Sequence, residues 1–320
     1  NPLMRTVVSL GSINVDRVVN TPEAALRELG SRADRFPEPG ETIELSTIPD
    51  SFPEEVDSVF HGGKGANQAV AATTCGADTL LLGKVGSDQR EFGVRQRLAD
   101  SGVDVAGIET AASAPTGTAY VFVDPHGENR IVVRPGANST VDWPYVRRHY
   151  DAIVGADCLL VQNEIPTAPI AKLFAELSAE PDRPTVVFDP APTEGAAALL
   201  DHEAVDYVTP NESEYEALQP ELDAFGGTVV HKRGGDDVIV EAEREFTVSP
   251  PSVPVTDTTG AGDVLNGFLG ARLAAGASPA EAIEVATAAA SLATRTEGAR
   301  NGIPALEAVR EFERASVHGV

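Results

Sequence analysis

The chain of 320 residues predicts an α/β fold: a central, mostly parallel sheet flanked by helices, with a small β-sheet lid. Three observations predict it. Short apolar runs of strand type alternate with longer helical patterns, which is the signature of βαβ units. Polar clusters stand just beyond several of the strand runs, where ligands sit in open parallel sheets. A second texture, rich in β-formers and broken by turn signals, interrupts the early part of the chain.

Taken in order, Val7–Leu10 is a short apolar run that opens the sheet, and Gly11-Ser12-Ile13-Asn14-Val15-Asp16 follows it. Val15–Val19 and Glu41–Ser46 read as lid strands, with the Pro- and Glu-rich residues 20–58 a loop expansion in that lid. Gly62-Gly63-Lys64-Gly65-Ala66-Asn67-Gln68-Ala69 leads into a small-residue helix, Ala66–Thr74. Thr79–Leu82 is the second core strand and Arg90–Ser101 the helix after it. Thr118–Asp124 and Arg130–Arg134, separated by the turn signal Pro125-His126-Gly127-Glu128, complete the lid as a small antiparallel sheet. Strand Cys158–Val161 precedes Gln162-Asn163-Glu164 and helix Pro169–Ala179. Strand Thr185–Phe188 ends at Asp189; strand Tyr207–Thr209, helix Glu212–Ala217 and strand Thr228–Val230 follow. A β-type run at Pro254 and Val255 comes before helix Val264–Ala275, and Pro279–Arg295 is a further helix. There is no internal repeat. One α/β domain over 1–320 is expected, its lid formed by segments 12–60 and 117–135.

Composition narrows the function. The formal charge is −25, with 49 acidic against 24 basic residues. That argues against nucleic acid or an anionic membrane as partner. The acid is spread along the chain, and 42% of residues are apolar, so a packed core is expected rather than disorder. Only four lysines occur, and arginine is preferred. A solvated acidic surface of this kind suggests the cytoplasm of an extreme halophile, where salt screens the self-repulsion. Cys75 and Cys158 lack metal spacing and read as buried reduced thiols. No apolar run approaches a membrane span and no signal-peptide pattern is visible, so a cytoplasmic location is expected. Asn1-Pro2-Leu3 ahead of Met4 reads as an added remnant.

The most informative stretch is Asp257-Thr258-Thr259-Gly260-Ala261-Gly262-Asp263. A Gly-rich turn at a helix start aims unpaired N–H groups, and the positive end of the helix dipole, at one point; an anion such as phosphate fits there. An acid at the end of that turn would repel the phosphate. Asp263 makes sense if it accepts a proton from a hydroxyl attacking that phosphate. By itself the stretch also fits a helix start with a dipole-matched carboxylate. The early Gly-rich stretch lacks the spacing and the Lys-Ser/Thr of a Walker P-loop. Its glycines permit close backbone approach and Asn67 can donate to and accept from a sugar hydroxyl; a tight turn with helix–sheet packing is the alternative. Asn14 and Asp16 fit an Asx-turn as well as a site, and Glu164 fits a loop carboxylate. Thr209-Pro210-Asn211-Glu212-Ser213-Glu214 reads equally as a helix N-cap with acids in the first turn. The six histidines show no metal spacing.

Together these motifs resemble the PfkB carbohydrate kinase family, in its ribokinase-like branch, over most of the chain and in the right order. The two Gly-rich stretches correspond to the family's two signatures. Asp189-Pro190-Ala191-Pro192, Thr209-Pro210-Asn211-Glu212 and Gly136-Ala137-Asn138 look like further landmarks. The resemblance implies an ATP-dependent sugar kinase acting on a primary hydroxyl, with D-ribose to ribose 5-phosphate the expected reaction. Fructose or another ketohexose and 2-keto-3-deoxygluconate are the alternatives within the family; a catalytically silent sugar-binding relative is the alternative outside catalysis. It implies Asp263 as base, and Gly260, Ala261 and Gly262 as the anion hole for the transferred group. Asn14, Asp16, Gly63, Lys64, Asn67 and Glu164 would hold the sugar. Asn211 and Glu214 would act near the phosphates and Mg²⁺. Lys232, Arg233 and Gly234 would lie along the nucleotide, with Gly262 and Thr287 also on that side. Asp257, Thr259, Ala293, Thr296 and Gly298 would ligate a monovalent cation, K⁺ by expectation. The lid would exclude water and could pair with a second copy's lid, giving a homodimer. Four features depart from the pattern. Lys232-Arg233-Gly234 replaces the more usual Thr-Leu-Gly. Asp237 stands where a glycine is expected, and Gly302 where a serine hydroxyl would approach the cation. The loop between Asn20 and Asp57 is longer than usual.

Overall fold

In the computed structural model, residues 5–33, 35–39, 41–126 and 128–318 are described. The segment Asn1 to Met4, read above as a remnant, and Gly127 of the expected turn lie outside them. The strands are β1 (Thr6–Leu10), β2 (Asn14–Asn20), β3 (Thr42–Glu44), β4 (Ser58–Gly62), β5 (Asp78–Gly86), β6 (Ile108–Ala111) and β7 (Gly117–Val123). They continue with β8 (Asn129–Arg134), β9 (Cys158–Gln162), β10 (Thr185–Asp189), β11 (Tyr207–Val208), β12 (Thr228–His231), β13 (Val238–Glu241) and β14 (Phe246–Val248).

The large sheet has the order β14-β13-β12-β11-β10-β9-β1-β5-β6. It is parallel from β12 across to β6 and ends in an antiparallel hairpin edge, β13 and β14. Alternate side chains on each strand feed opposite faces. Val7, Leu160 and Val187 pack with Phe268 and Ile283 of the helices Ala261–Ala274 and Pro279–Ala293. Val8, Leu159 and Phe188 pack on the other face with Leu173 and Phe174 of the helix Thr167–Ser178. Each such side chain, fully buried, contributes about 1.5–3 kcal/mol relative to exposure, which is why these strands read as continuous apolar runs.

The helix Lys64–Thr74 begins at Gly63, whose φ of 87° a side chain would strain; a Cβ there would also meet Asn14 N and Ser12 O at 2.7 Å. Its small residues let the helix Ala261–Ala274 come close: a Cβ on Gly267 would lie 2.5 Å from Ala71 Cβ. This contact brings the two Gly-rich signatures together.

The second sheet has the order β3-β8-β7-β2-β4. The antiparallel sheet expected from sequence is corrected to a mixed one. The two strands that leave the core, β2 and β7, run side by side and pair parallel, as do β3 and β8. The returning strands β4 and β8 pair antiparallel to them. Residues 20–58 are more than a loop expansion: they carry the helix Glu23–Arg32 and strand β3. Leu26 and Leu29 of that helix pack with Phe52, Tyr120 and Phe122 on one face of the sheet, with the Phe52 and Phe122 rings edge to face at 5.0 Å.

Three further expectations change. The helix expected over Arg90–Ser101 is broken at Gly93 (φ 64°) into Gln89–Phe92 and Val94–Asp100. Pro254 and Val255 are irregular, because Pro250, Pro251 and Pro254 offer no N–H to a ladder. The helices Trp143–Arg148 and Tyr150–Val154 and the strands β6, β13 and β14 are too short to give a period in the sequence. Among the described residues, no helix is long and apolar enough to cross a membrane.

Candidate active site

Four chain segments meet beyond the carboxyl ends of β1, β9 and β10. The turn after β1 brings Ser12, and β2 brings Asn14 and Asp16. The turn after β9 brings Glu164, and β10 ends on Asp189. The helices Lys64–Thr74 and Ala261–Ala274 point their first turns at the same place.

Asp263 lies in the first turn of its helix and is 5% exposed. Asn67 Nδ2 donates to its Oδ2 at 2.9 Å and Gln68 Nε2 to its Oδ1 at 3.1 Å. Lys64 Nζ stands 3.9 Å from Oδ1. All three neighbours are donors, so the carboxylate keeps lone pairs free for a hydroxyl proton. Asp189 is buried deeper and accepts from Lys64 Nζ and Gln68 Nε2 at 3.2 Å and from Asn266 Nδ2 at 3.0 Å. Burial opposes its charge, but Lys64, Lys232 and the Ala191 N–H outweigh it and hold the carboxyl below its usual range. Burial likewise works against the Lys64 charge, and Asp189, Asp263, Glu164 and Glu214 more than offset it, so Lys64 stays protonated.

Glu164 takes the Lys64 N–H at 3.2 Å and the Ser12 hydroxyl. Burial pushes its pKa up, against the pull of Lys64 and Ser12. Asn14 Oδ1 accepts from Asn138 Nδ2 at 2.7 Å, which ties β2 to the Gly136-Ala137-Asn138 turn. Asp16, on β2, is pushed up to about 7, chiefly by burial, with Glu164 and Asp263 adding to the rise and Arg300 opposing it. Gly63 makes the turn against Ser12 and Asn14 described above.

The donor side is built differently. Gly260 (φ 78°) precedes the helix; the Ala261 N–H donates to Thr258 O at 3.2 Å, while the first-turn N–H groups of Gly262 and Asp263 have no i−4 acceptor and face the open end. A Cβ on Gly262 would lie 3.3 Å from Lys232 Nζ, so that ammonium stands beside the turn. Asn211 and Glu214 form a capping box: Asn211 Oδ1 accepts the Glu214 N–H at 2.9 Å, and Glu214 Oε2 accepts the Asn211 N–H at 2.8 Å. The N-cap reading is thus realised, and Glu214 still lies within electrostatic reach of Lys232 and Lys64. Gly234 and Arg233 sit in the loop after β12, Gly234 with nothing within 4 Å of its Cβ position. Thr287 is buried within the helix Pro279–Ala293, and its Oγ1 has no hydrogen-bond partner among the described residues. It joins neither cluster by a hydrogen bond.

The expected cation ligands gather in two turns. Asp257 accepts the Thr259 N–H at 2.9 Å and the Gly298 N–H at 2.8 Å, and its N–H donates to Thr294 O. Burial works against its charge, yet those amides hold its pKa below the usual value. Ala293 O accepts from Thr296 N at 3.3 Å. A Cβ on Gly302 would fall 2.4 Å from Ala293 O, so this carbonyl fills the place where a serine would reach in. Among the described residues no cluster of His, Cys, Asp or Glu suits a tightly held metal, and Mg²⁺ bound through phosphates and water needs none.

Sequence reasoning missed four participants. Gln68 lay inside a noted motif, and Asn266 is one helical turn beyond Asp263, so spacing could have found both. Ser12 lay in a noted stretch. Arg300 had no such signal; it donates to Asn67 Oδ1 and to Gly62 O, both at 2.7 Å. A separate hollow of about 420 Å³ under the lid helix, lined by Glu23, Arg27, Arg35 and Arg130, touches none of these residues.

Residues 53–306 match the family described as pfkB family carbohydrate kinase. The chain is similar to the ribokinase of Haemophilus influenzae, 32% identical over 97% of this chain and 99% of that one. It is 33% identical to the ribokinase of Bacillus subtilis, over 97% and 99%. The crystal structure of a ribokinase from Thermotoga maritima matches with a TM-score of 0.76 and 29% identity, covering 97% of this chain and 98% of that one.

Proposed function

The chain belongs to the pfkB family of carbohydrate kinases, and from that premise we infer that it phosphorylates the primary hydroxyl of a small neutral sugar, D-ribose, from ATP to give ribose 5-phosphate. The observation that carries this is the buried Asp263, held by donors on both oxygens at the mouth of a helix whose free N–H groups face the same space. In the reaction the sugar oxygen bonds to the terminal phosphorus, the bond from that phosphorus to the ADP oxygen breaks, and the hydroxyl proton passes to Asp263. In the Gly260-Ala261-Gly262 turn the amides of Gly260 and Gly262, with the Lys232 ammonium, would stabilise charge on the transferred group, while the Ala261 amide, bonded to Thr258 O, shapes the turn. Asn14, Asp16, Gly63, Lys64, Asn67 and Glu164 would hold the sugar; Asn211 and Glu214 would act near the phosphates and Mg²⁺, which would neutralise phosphate charge; Arg233, Gly234 and Thr287 would lie toward the nucleotide.

Charge supports a neutral sugar over 2-keto-3-deoxygluconate. The acceptor cluster sets four carboxyl groups (Asp16, Glu164, Asp189, Asp263) against two cations, Lys64 and Arg300, which leaves nothing spare for a substrate carboxylate. Sugar-dependent ADP release in high KCl with Mg-ATP, across ribose, fructose, 2-keto-3-deoxygluconate and adenosine, tests the reading. Fastest turnover on ribose is expected; preference for another substrate would move the substrate and keep the chemistry. ADP release on none, with sugar binding retained in calorimetry, would make the chain a silent relative.

We read 1–320 as one kinase domain, with 12–60 and 117–135 as its lid. The Asp257, Thr259, Ala293, Thr296 and Gly298 shell suits K⁺; equal activity in KCl and in an organic-cation buffer would remove that role. The charge of −25 supports a halophilic, cytoplasmic enzyme; a melting temperature indifferent to KCl would count against it. The outer face of the lid sheet is covered by the chain's own Leu26 and Leu29, so a homodimer would pair at the β4 edge, where Val59 is 45% exposed. Light scattering that gives a monomer in high salt would dismiss the dimer.

A further inference from the structure

The geometry points to Arg300 as a positioning residue: its guanidinium fixes the Asn67 amide, and through it holds the base Asp263 against the sugar pocket. The assignment rests on Asp263 being the base, as inferred above.

An asparagine amide can sit two ways, with oxygen and nitrogen exchanged. Arg300 Nε donates to Asn67 Oδ1 at 2.7 Å, a place where the NH₂ group could not accept. Asn67 Nδ2 is thereby left to donate to Asp263 Oδ2 at 2.9 Å. A second guanidinium nitrogen donates to Gly62 O at 2.7 Å, at the end of the lid strand β4. One side chain therefore ties the lid, the helix Lys64–Thr74 and the base. Two donors at a fixed angle are needed for two acceptors, which an arginine fork supplies and a lysine point charge does not. The neighbourhood keeps it charged: burial lowers the Arg300 pKa to about 10, while Asp16 and Asp263 hold it up.

The segment bearing Arg300 also touches the donor side. A Cβ on Gly260 would lie 2.7 Å from Ala299 Cβ, so the residue beside Arg300 rests on the anion-hole turn. Movement of this segment would reach the acceptor amide and the phosphate turn together.

The test has a sugar-free arm and a kinetic arm. In ¹⁵N-labelled protein the Asn67 side-chain amide pair is assigned by its loss in Asn67→Ala. It is expected to shift on Arg300→Met and to shift less on Arg300→Lys. With the sugar that the unaltered enzyme turns over, Arg300→Met is expected to lower kcat about ten- to a hundredfold, as for a misplaced reacting group, and Arg300→Lys to recover part of the loss. In the Asn67→Ala background the loss should shrink to under about threefold, because the effect runs through Asn67. An amide pair that Arg300→Met leaves in place, or an equal loss in both backgrounds, overturns the proposal. An unaltered enzyme idle on every sugar overturns the functional reading alone, and the amide signal then decides the role of Arg300.

Discussion

The acceptor half and the donor half of the cleft are built on opposite plans. On the acceptor side Lys64, Asn67, Gln68, Asp189, Asp263 and Arg300 form one network of side chains, each bonded to at least one other. On the donor side the contacts are backbone amides at a helix start, a capping box, and lysine and arginine in an open loop. The first plan ties each polar atom to named partners; the second offers charge and N–H groups to an incoming phosphate. The difference teaches where substitutions will hurt. Acceptor changes break a network with shared partners, whereas donor changes remove one contact at a time.

The largest expected break is Asp263→Asn. It keeps the shape but cannot take the proton, and its NH₂ must face one of the two donors, Asn67 or Gln68, so turnover should fall by roughly two to four orders of magnitude with sugar binding largely spared. Steady-state kinetics with calorimetry reads both, and a near-normal rate would remove Asp263 as base.

Next comes pH. Asp16 in the folded chain is raised from 3.8 to about 7, so between those values the folded state binds a proton that the unfolded state has released. Its contribution to stability therefore falls as pH climbs through that window. Denaturant melts from pH 4 to 8 should show a shallower decline with pH in Asp16→Asn than in the unaltered protein. Sugar kcat/KM should lose an acid limb near pH 7 in the same variant if the ionised carboxylate grips the sugar.

Two glycines sharpen the contrast between the halves. Gly63 and Gly234 both have positive φ, 87° and 61°, but a Cβ on Gly63 would strike backbone at 2.7 Å and one on Gly234 would meet nothing within 4 Å. Gly63→Ala adds a backbone clash to the strain and should cost about 3 kcal/mol or more, against about 1 kcal/mol for Gly234→Ala. Equal melting points for the two would say that the acceptor turn yields more than its packing implies. The smallest effect expected is from Lys232→Thr, which removes one exposed-side charge from the phosphate turn. KM for ATP should rise less than about tenfold with the sugar KM unchanged; a collapse in kcat would move Lys232 into the rigid half.

Much of this was legible in the chain. Strands buried on both faces must be apolar throughout, so β1, β9, β10 and β12 stood out to within a residue or two. Gly-rich turns must carry glycine, so both signatures were visible, as was the N-cap at Asn211. Polar residues beyond strand ends pointed to Asn14, Asp16, Glu164 and Asp189. What stayed hidden were relations between distant segments. The lid's parallel pairing depends on which strands leave the core together, and the helix Glu23–Arg32 lies in a stretch whose prolines and acids read as loop. Lys232 looked like a nucleotide-loop residue, and only the fold sets its ammonium beside Gly262.

The sequence by itself determined the α/β class, the order of strands and helices, the Gly-rich turn at a helix start and the acid at its end, because local pattern and backbone chemistry are written in adjacent residues. The tertiary structure decided which charges share a low-dielectric space: that Asp189 neutralises Lys64, that Asp16 is lifted toward neutrality, and that Arg300 reaches Asn67 across 233 positions of chain. Burial and Coulomb energy depend on distance in space, and no local pattern carries that distance.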